Sequence, residues 1–375
     1  MVIALLGVLI SMLIIWRACD GFEAATSYIG RNLSDGVKGA TLNAIGSSLP
    51  ELLAASTALI LYANKDGFAF GIGTTAGSAM FNSAVIPSLV IATVITIGLT
   101  TAVTVSKKII FRDGICLLFA ELGLIYTLTA SELTWIHGAQ LLFMYLTYIV
   151  ILFGSMSSND VDEDYEDEIE EPGYWLKDLL TLNLRAFILG SNKLTDGRAW
   201  WLLFVATCVI ATACHLLVES CYIMGEALQI NTYFVAVILA AAATSVPDTI
   251  ISMKDAKNGE YDDAVANALG SNIFDICVGI GLPLFVYCLM TGETISLATS
   301  DSGNVAELRV LLMVITVVIF GVLFLFSDSL TRIHAVLIFS LYVSFVVYII
   351  GRANQVEMFN EIGVGLQNTL KFIGG

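Results

Sequence analysis

Four short stretches of this chain place carboxylates, hydroxyls and an amide at helical spacing inside otherwise apolar sequence. "ATLNAIGSSLPELLAAS" (40–56) carries Ser47 and Glu51 around Pro50, and "VILAAAATSVPDTIISM" (237–253) carries Thr244 and Asp248 around Pro247. "GTTAGSAMFN" (73–82) carries Ser78 and Asn82, and "ANALGSNIFD" (266–275) carries Ser271 and Asp275. In each, the hydroxyl and the acid or amide are four residues apart, a spacing that predicts a shared helix face. Each proline lacks an N–H, so the carbonyl of Gly46 or of Ala243 loses its helical partner. The donors gathered this way are all oxygens: hydroxyl, carbonyl, carboxamide and carboxylate. Such sets suit hard cations such as Ca2+ and Na+. Three ionised carboxylates at bilayer depth are very costly without a cation or proton beside them, so the pattern predicts an ion site.

The elements that must hold these groups are transmembrane helices. The chain has 375 residues, of which 57% are hydrophobic and only 13% charged. A soluble protein of that length would expose far more charge, so the fold class is all-α integral membrane. A span needs about 20 apolar residues. Ten are predicted, at 2–28, 37–62, 68–98, 108–129, 134–154, 199–225, 231–253, 261–289, 306–326 and 331–350. The first segment has neither a charged leader nor a small-residue cleavage site, and reads as a helix rather than a signal peptide. The seven cysteines are scattered without a C-x-x-C pair and read as small buried residues. His137, His215 and His334 lie far apart and do not suggest a metal cluster.

The net charge is −16, and nine of the acids fall in "DVDEDYEDEIEE" (160–171), which reads as a solvated linker. It lacks EF-hand spacing and the EF-hand glycine. Alternate connections between ten spans share a side. One side carries Arg31, Lys38, Lys107, Lys108, Arg112, Lys177, Arg185, Lys193, Arg198, Lys254, Lys257 and Arg332; the other carries Lys65, Arg309, Arg352 and Lys371. Twelve against four predicts both termini outside and the acidic linker in the cytosol.

The chain also repeats itself. Pro50 aligns with Pro247 and Glu51 with Asp248, and further on Gly77, Ser78 and Asn82 align with Gly270, Ser271 and Asp275. Five spans, an odd number, separate the copies, so the two halves insert with opposite orientation, a pattern typical of secondary transporters. The expected organisation is a first five-helix half at 1–154 with its ion-binding repeat at 39–90 and a cytosolic acidic loop at 155–198. A second half follows at 199–350 with its repeat at 236–287, then a tail at 351–375. The tail's Val356, Phe359, Ile362, Leu366, Leu370 and Ile373 suggest an interfacial helix on the outer surface, with packing or fraying at the terminus as the alternatives.

"GATLNAIGSSLPEL" (39–52), "GTTAGSAMFN", "ATSVPD" (243–248) and "GSNIFDICVGIGLP" (270–283) resemble the α-repeats of the cation/calcium exchanger superfamily, and most of all its sodium/calcium exchangers. "ATSVPD" and "CDGFEAATSYIGRNLSDGVKGAT" (19–41) resemble the potassium-dependent branch. The resemblance implies ten helices, with four short helix pairs around a central site and two long helices sliding against them. It implies that Glu51 and Asp248 are the principal Ca2+ ligands and that Ser47, Ser48, Thr244 and Ser245 add hydroxyl or carbonyl oxygens. Asn82 and Asp275 would form a mid-membrane pair one turn from Ser78 and Ser271, and the carbonyls of Ala44 and Ala241 would bind Na+. Two departures stand out: Asp248 where many prokaryotic relatives have glutamate, and Ala79 in place of the asparagine of "GSN".

The resulting expectation is an antiporter, not an enzyme. It exchanges Ca2+ for Na+ by alternating access, with or without K+, and extrudes cytosolic Ca2+ across the plasma membrane. Any charge imbalance couples the cycle to membrane potential at about 2.3 kcal/mol per charge per 100 mV. A Ca2+/H+ antiporter of the same fold is the near alternative, since protons could replace Na+ on the carboxylates. An intramembrane aspartyl protease built on Asp248 and Asp275 is a remote one, which leaves Glu51 and the first repeat unexplained. Inorganic cations and the lipid bilayer are the expected partners; nothing suggests a cofactor, a nucleic acid or an obligate protein partner.

Overall fold

The computed structural model describes residues 1–31, 42, 44–61, 65–154, 178, 181–190, 192–296 and 300–374. The first half comprises α1 (Val2–Ile29), α2 (Ala44–Ser47), α3 (Leu49–Leu61), α4 (Lys65–Met80), a π-helical turn (Phe81–Val85), α5 (Ile86–Thr96), α6 (Lys107–Leu128), β1 (Glu132–Leu133) and α7 (Trp135–Gly154). After the short α8 (Leu184–Leu189) come α9 (Asp196–Leu228), α10 (Thr232–Val235), a second π turn (Ala236–Ala240), α11 (Ala241–Thr244) and α12 (Val246–Asn258). Then follow α13 (Tyr261–Phe274), a third π turn (Asp275–Ile280), α14 (Gly281–Thr291), β2 (Ile295–Ser296), α15 (Ser300–Leu325), α16 (Arg332–Ala353) and α17 (Glu357–Gly374). The strands form one two-residue antiparallel ladder that ties the α6–α7 turn to the turn after α14.

Among the described residues, seven helices are long and apolar enough to cross a membrane, and an eighth span arises if the 41° bend between Thr232–Thr244 and Val246–Asn258 lies within one crossing. Two of the ten predicted spans fall short by this measure. The 37–62 span is seen only from Ala44 on, apart from residue 42, and its straight part, α3, has 13 residues. The 108–129 span is a 22-residue helix, but Lys107, Lys108, Arg112, Asp113 and Glu121 make it too polar.

The long helices α1 and α9, of 28 and 33 residues, pack against each other along their lengths. Lipid tails are as apolar as leucine, so membrane helices hold together through close packing at small residues. Gly7 illustrates this: a Cβ there would lie 2.1 Å from Ser220 Oγ. Val8, Ile15, Leu202, Ile210 and Leu217 share a hydrophobic cluster with Ala54 and Ala58 of α3. The remaining helices build a separate, larger cluster around Ile72, Met80, Leu117, Ile273 and Leu312.

Two expectations change, and the alternatives for the tail are narrowed. Arg309, read as a loop charge, is fully buried within α15, 3.4 Å from the Glu121 carboxylate, so it drops out of the topology tally. The tail is a helix docked on α15 and α16: Phe359 meets Tyr348 edge-on at 5.9 Å, and Gln367 donates to Glu307 at 2.8 Å. Val356 and Ile362 remain exposed on it. Five cysteines are buried as expected, whereas Cys116 is half-buried and Cys208 exposed. The acidic run at 160–171 and all of the 19–41 stretch beyond Arg31 lie outside the described residues.

Two of the histidines are helix caps. His137 Nδ1 accepts the Thr134 N–H at 3.0 Å before α7, and His334 Nδ1 accepts the Thr331 N–H at 3.1 Å before α16. "TWIH" and "TRIH" thus begin the last long helix of each predicted half in the same way.

Candidate functional site

The two proline motifs fold alike. Ser48 interrupts α2 and α3, its N–H bonding the Ala44 carbonyl at 3.0 Å while its own carbonyl accepts the Leu52 N–H at 3.3 Å. Ser245 interrupts α11 and α12 in the same way: its N–H bonds Ala241 O at 3.0 Å, and Ser245 O accepts the Thr249 N–H at 3.2 Å. The hydroxyls of Ser47 and Thr244 add a second donor to the Ala44 and Ala241 carbonyls, at 3.3 and 3.2 Å. The other two motifs end in π turns, one containing Asn82 and one beginning at Asp275. Single π turns inside helices recur at functional sites, because the extra residue per turn re-aims the side chains around it.

All twelve residues expected at the site are essentially inaccessible. The structure joins the side chains of Ser47, Glu51, Ser78, Asn82, Ser245, Asp248, Ser271 and Asp275 into one network, and Ser78 is its centre. Ser78 Oγ lies 2.9 Å from Asp275 Oδ2 and 3.2 Å from Glu51 Oε1, and it accepts from Ser245 Oγ at 3.0 Å and Asn82 Nδ2 at 3.4 Å. Asp248 receives Ser271 Oγ at 2.7 Å on one oxygen and Asn82 Nδ2 at 3.0 Å on the other. Ser47 and Ser271 hydroxyls meet at 3.3 Å.

The expected pairing of Ser47 with Glu51 and of Thr244 with Asp248 is not the one formed. The Ser47 hydroxyl meets that of Ser271, Thr244 bonds the Ala241 carbonyl, and it is Ser245 that stands 3.5 Å from Glu51 and Asn82 that serves Asp248, each from the other repeat. Bonds of i→i−4 spacing run through both Ser48 and Ser245, so it is contact between helices that redirects these groups. Nor do the carboxylates converge directly: among the described residues no three His, Cys, Asp or Glu side chains form a metal-holding group. Hydroxyls and the Asn82 amide stand between them.

Two electrostatic facts follow. The single Ser78 hydroxyl proton faces both Glu51 and Asp275 and cannot fully satisfy the two. Four buried oxygens also have no hydrogen-bond partner: Ser48 Oγ, Glu51 Oε2, Asn82 Oδ1 and Asp275 Oδ1. Buried polar atoms without partners are rare, and in a low-dielectric interior they are costly. An oxygen cradle of this kind has the chemistry to take a hard cation or a proton.

Supporting residues appear that spacing did not single out. Asn267 donates to Ser252 Oγ at 3.1 Å and to the Asp248 carbonyl at 3.4 Å. Asn272 reaches Ser83 Oγ at 2.7 Å and the carbonyl of Ala79 at 3.2 Å, so the asparagine of one repeat bonds the backbone where the other repeat lacks it. Both stand within the "ANALGSNIFD" motif, but their partners are in other helices. Gly77 permits the close approach of α4 to the α10–α11 segment: a Cβ there would sit 1.9 Å from Val237 O.

Comparison with known proteins gives this arrangement a family. Sodium/potassium/calcium exchanger 1 of Gallus gallus is 33% identical over 138 residues, covering 37% of this chain and 20% of its own length. Sodium/potassium/calcium exchanger 5 of Homo sapiens is 26% identical over 333 residues, covering 68% of this chain and 63% of its own. The chain thus spans less than two thirds of these curated relatives. Inner membrane protein YrbG of Escherichia coli (strain K12) is 24% identical over 81% of this chain and 86% of its own. Two solved structures share the fold: the H+/Ca2+ exchanger CAX, with TM-score 0.66 at 14% identity over 98% of this chain and 91% of its own, and the sodium-calcium exchanger NCX_Mj, with TM-score 0.57 at 22% identity over 92% and 99%. The family model for sodium/calcium exchanger proteins matches residues 3–154 and 198–351, and the chain belongs to that family of membrane transporters.

Proposed function

We propose that the chain is a secondary active antiporter that exchanges Ca2+ for Na+ by alternating access, with Glu51 and Asp248 as the principal Ca2+ ligands. The observation that carries this is the set of four unpartnered buried oxygens around a hydroxyl shared by Glu51 and Asp275. Ser47, Ser48, Thr244, Ser245, Ser78, Ser271 and Asn82 supply further oxygens, and the Ala44 and Ala241 carbonyls take Na+ once their hydroxyl donors turn away. Na+ and Ca2+ then compete for overlapping oxygens. An empty site is disfavoured because its carboxylates are buried, so the cycle exchanges instead of leaking.

Ten spans in two inverted five-helix halves complete the reading: the eight apolar spans together with α2–α3 and α6. Three things support it. The family match falls on 3–154 and 198–351, close to the two halves. The proline motifs break with the same hydrogen bonds. Glu51 faces the Ser245 hydroxyl at 3.5 Å and Asp248 takes the Asn82 amide at 3.0 Å, each from the other repeat. The surplus of Lys and Arg on one set of connections supports a cytosolic 155–198 loop and both termini outside, with Ca2+ extruded across the plasma membrane.

The relatives' names include potassium, and we assign K+ to Asp275, whose Oδ1 is unpartnered. A Ca2+/H+ antiporter is the second reading, because a proton on Asp275 would also resolve the contact it shares with Ser78. Ca2+ flux from proteoliposomes, driven separately by Na+, K+ and H+ gradients, tests both. The expected result is Na+-driven flux that needs K+ in wild type and is indifferent to K+ in Asp275→Asn. H+-driven flux without Na+ would overturn the Na+ assignment, and wild-type flux indifferent to K+ would overturn the role of Asp275.

A further inference from the structure

Among the described residues Arg309 is the largest fully buried side chain, and the ion network does not include it. A buried arginine in a membrane bundle is expensive unless its donors find partners; the Arg309 Nε has none, and the contacts all fall on its two Nη groups. Its Nη1 is 3.4 Å from Glu121 Oε1 of α6, while Nη2 donates to Thr75 Oγ1 at 2.6 Å and to the Ile72 carbonyl at 3.3 Å, both on α4. Thr75 in turn donates to that same carbonyl at 3.1 Å. The guanidinium therefore clamps a single turn of α4, and Thr75 is three residues before Ser78.

The clamp reaches the site by a second route. Thr75 Cγ2 lies 3.6 Å from where a Cβ on Gly279 would be, in the π turn that begins at Asp275. Thr75 is thus the spacer between α4 and the Asp275 segment, the two elements joined by the 2.9 Å Ser78–Asp275 hydrogen bond. The far side of α15 is also pinned. Glu307, two residues before Arg309 and about 200° round the helix, receives Arg352 at 2.7 and 3.0 Å, Tyr348 at 3.0 Å and Gln367 at 2.8 Å. The second repeat has Ala268 where the first has Thr75, so this device belongs to one half alone.

We propose that Arg309 is a positioning residue for the ion site: through Thr75 it fixes the α4 turn that holds Ser78 between Glu51 and Asp275, and so sets Ca2+ affinity without limiting turnover. The proposal rests on the exchange reading above. Its test is the apparent KM and Vmax of Na+-driven Ca2+ flux in proteoliposomes for wild type, Thr75→Val, Thr75→Ser and the charge-balanced pair Arg309→Met with Glu121→Gln. Loss of a hydrogen bond to a charged group corresponds to about a tenfold change in affinity. Thr75→Val and the pair should therefore each raise KM for Ca2+ about tenfold with Vmax within about twofold, and Thr75→Ser, which keeps the hydroxyl, should restore the wild-type KM. A merely structural role would lower Vmax or yield and leave KM alone. If the pair fails to insert, Thr75→Val against Thr75→Ser decides. Unchanged KM in Thr75→Val, in vesicles where wild type exchanges, overturns this proposal alone; absent Na+-driven flux in wild type overturns it together with the exchange reading.

Discussion

The two ion-binding repeats share a motif but not an environment. Gly77 and Gly270 each precede the serine that serves a carboxylate, and each faces the alanine before the opposite proline break. A Cβ on Gly77 would come within 2.5 Å of the Ala241 Cβ, whereas one on Gly270 would stand 3.9 Å from the Ala44 Cβ. Their serines differ too. Ser78 has four polar partners, Glu51, Asp275, Asn82 and Ser245, while Ser271 has two among the described residues, Asp248 and Ser47. The lesson is that sequence symmetry fixes which groups are available, while the tightness of helix contact decides how they are shared. An alternating-access transporter needs this inequality: in any one state its matched halves must differ, and exchanging their roles gives the other state.

The comparison breaks most visibly at the carboxylates, where the repeats should be equally indispensable. Even supporting groups around a bound metal typically contribute about 10- to 100-fold in affinity. Glu51→Gln and Asp248→Asn should each abolish Na+-driven Ca2+ flux from proteoliposomes while the protein still inserts. Near-wild-type flux in one of the two would mean that the repeats do not share the ion as proposed.

The next largest effect tests the glycines. Gly77→Ala drives a methyl into the Val237 carbonyl 1.9 Å away, so backbone must move. Overpacking of this kind costs about 1–3 kcal/mol, to be seen as a lower melting temperature in detergent. Gly270→Ala meets Tyr148 Oη at 3.6 Å and Ala44 at 3.9 Å, ordinary contact distances. It should therefore destabilise less, and the reverse order would show that the packing difference is misassigned.

Smaller still is the contrast between the serines. Ser78→Ala removes the link between two carboxylates and should raise the KM for Ca2+ about tenfold; Ser271→Ala loses one strong bond to Asp248 and should raise it less. Equal shifts would place Ca2+ symmetrically between the repeats. The smallest effect is expected outside both. Replacing residues 160–171 with a neutral Gly/Ser linker removes no proposed ligand. Na+/Ca2+ exchange should persist at about the wild-type rate, and its complete loss in an inserted protein would bring the linker into the transport cycle.

The sequence by itself determined the membrane class, the oxygen-only donor set and the duplicated motifs, because these rest on composition and on spacing within one helix. Its spacing also paired Asn82 with Ser78, a contact made at 3.4 Å because the helix runs regularly up to Phe81. It misjudged Arg309 for a related reason: a charge near the end of an apolar run reads as a loop residue, and only Glu121 and Thr75, on two other helices, make its burial affordable. What the tertiary structure decided was partnership. Asn82 serves Asp248 at 3.0 Å and Ser245 stands 3.5 Å from Glu51, each across the two repeats, where no spacing within one helix announces the pair. Which helix then lies opposite is set by where small residues such as Gly77 let backbones touch, and contact between helices far apart in the chain leaves no periodic trace in the sequence.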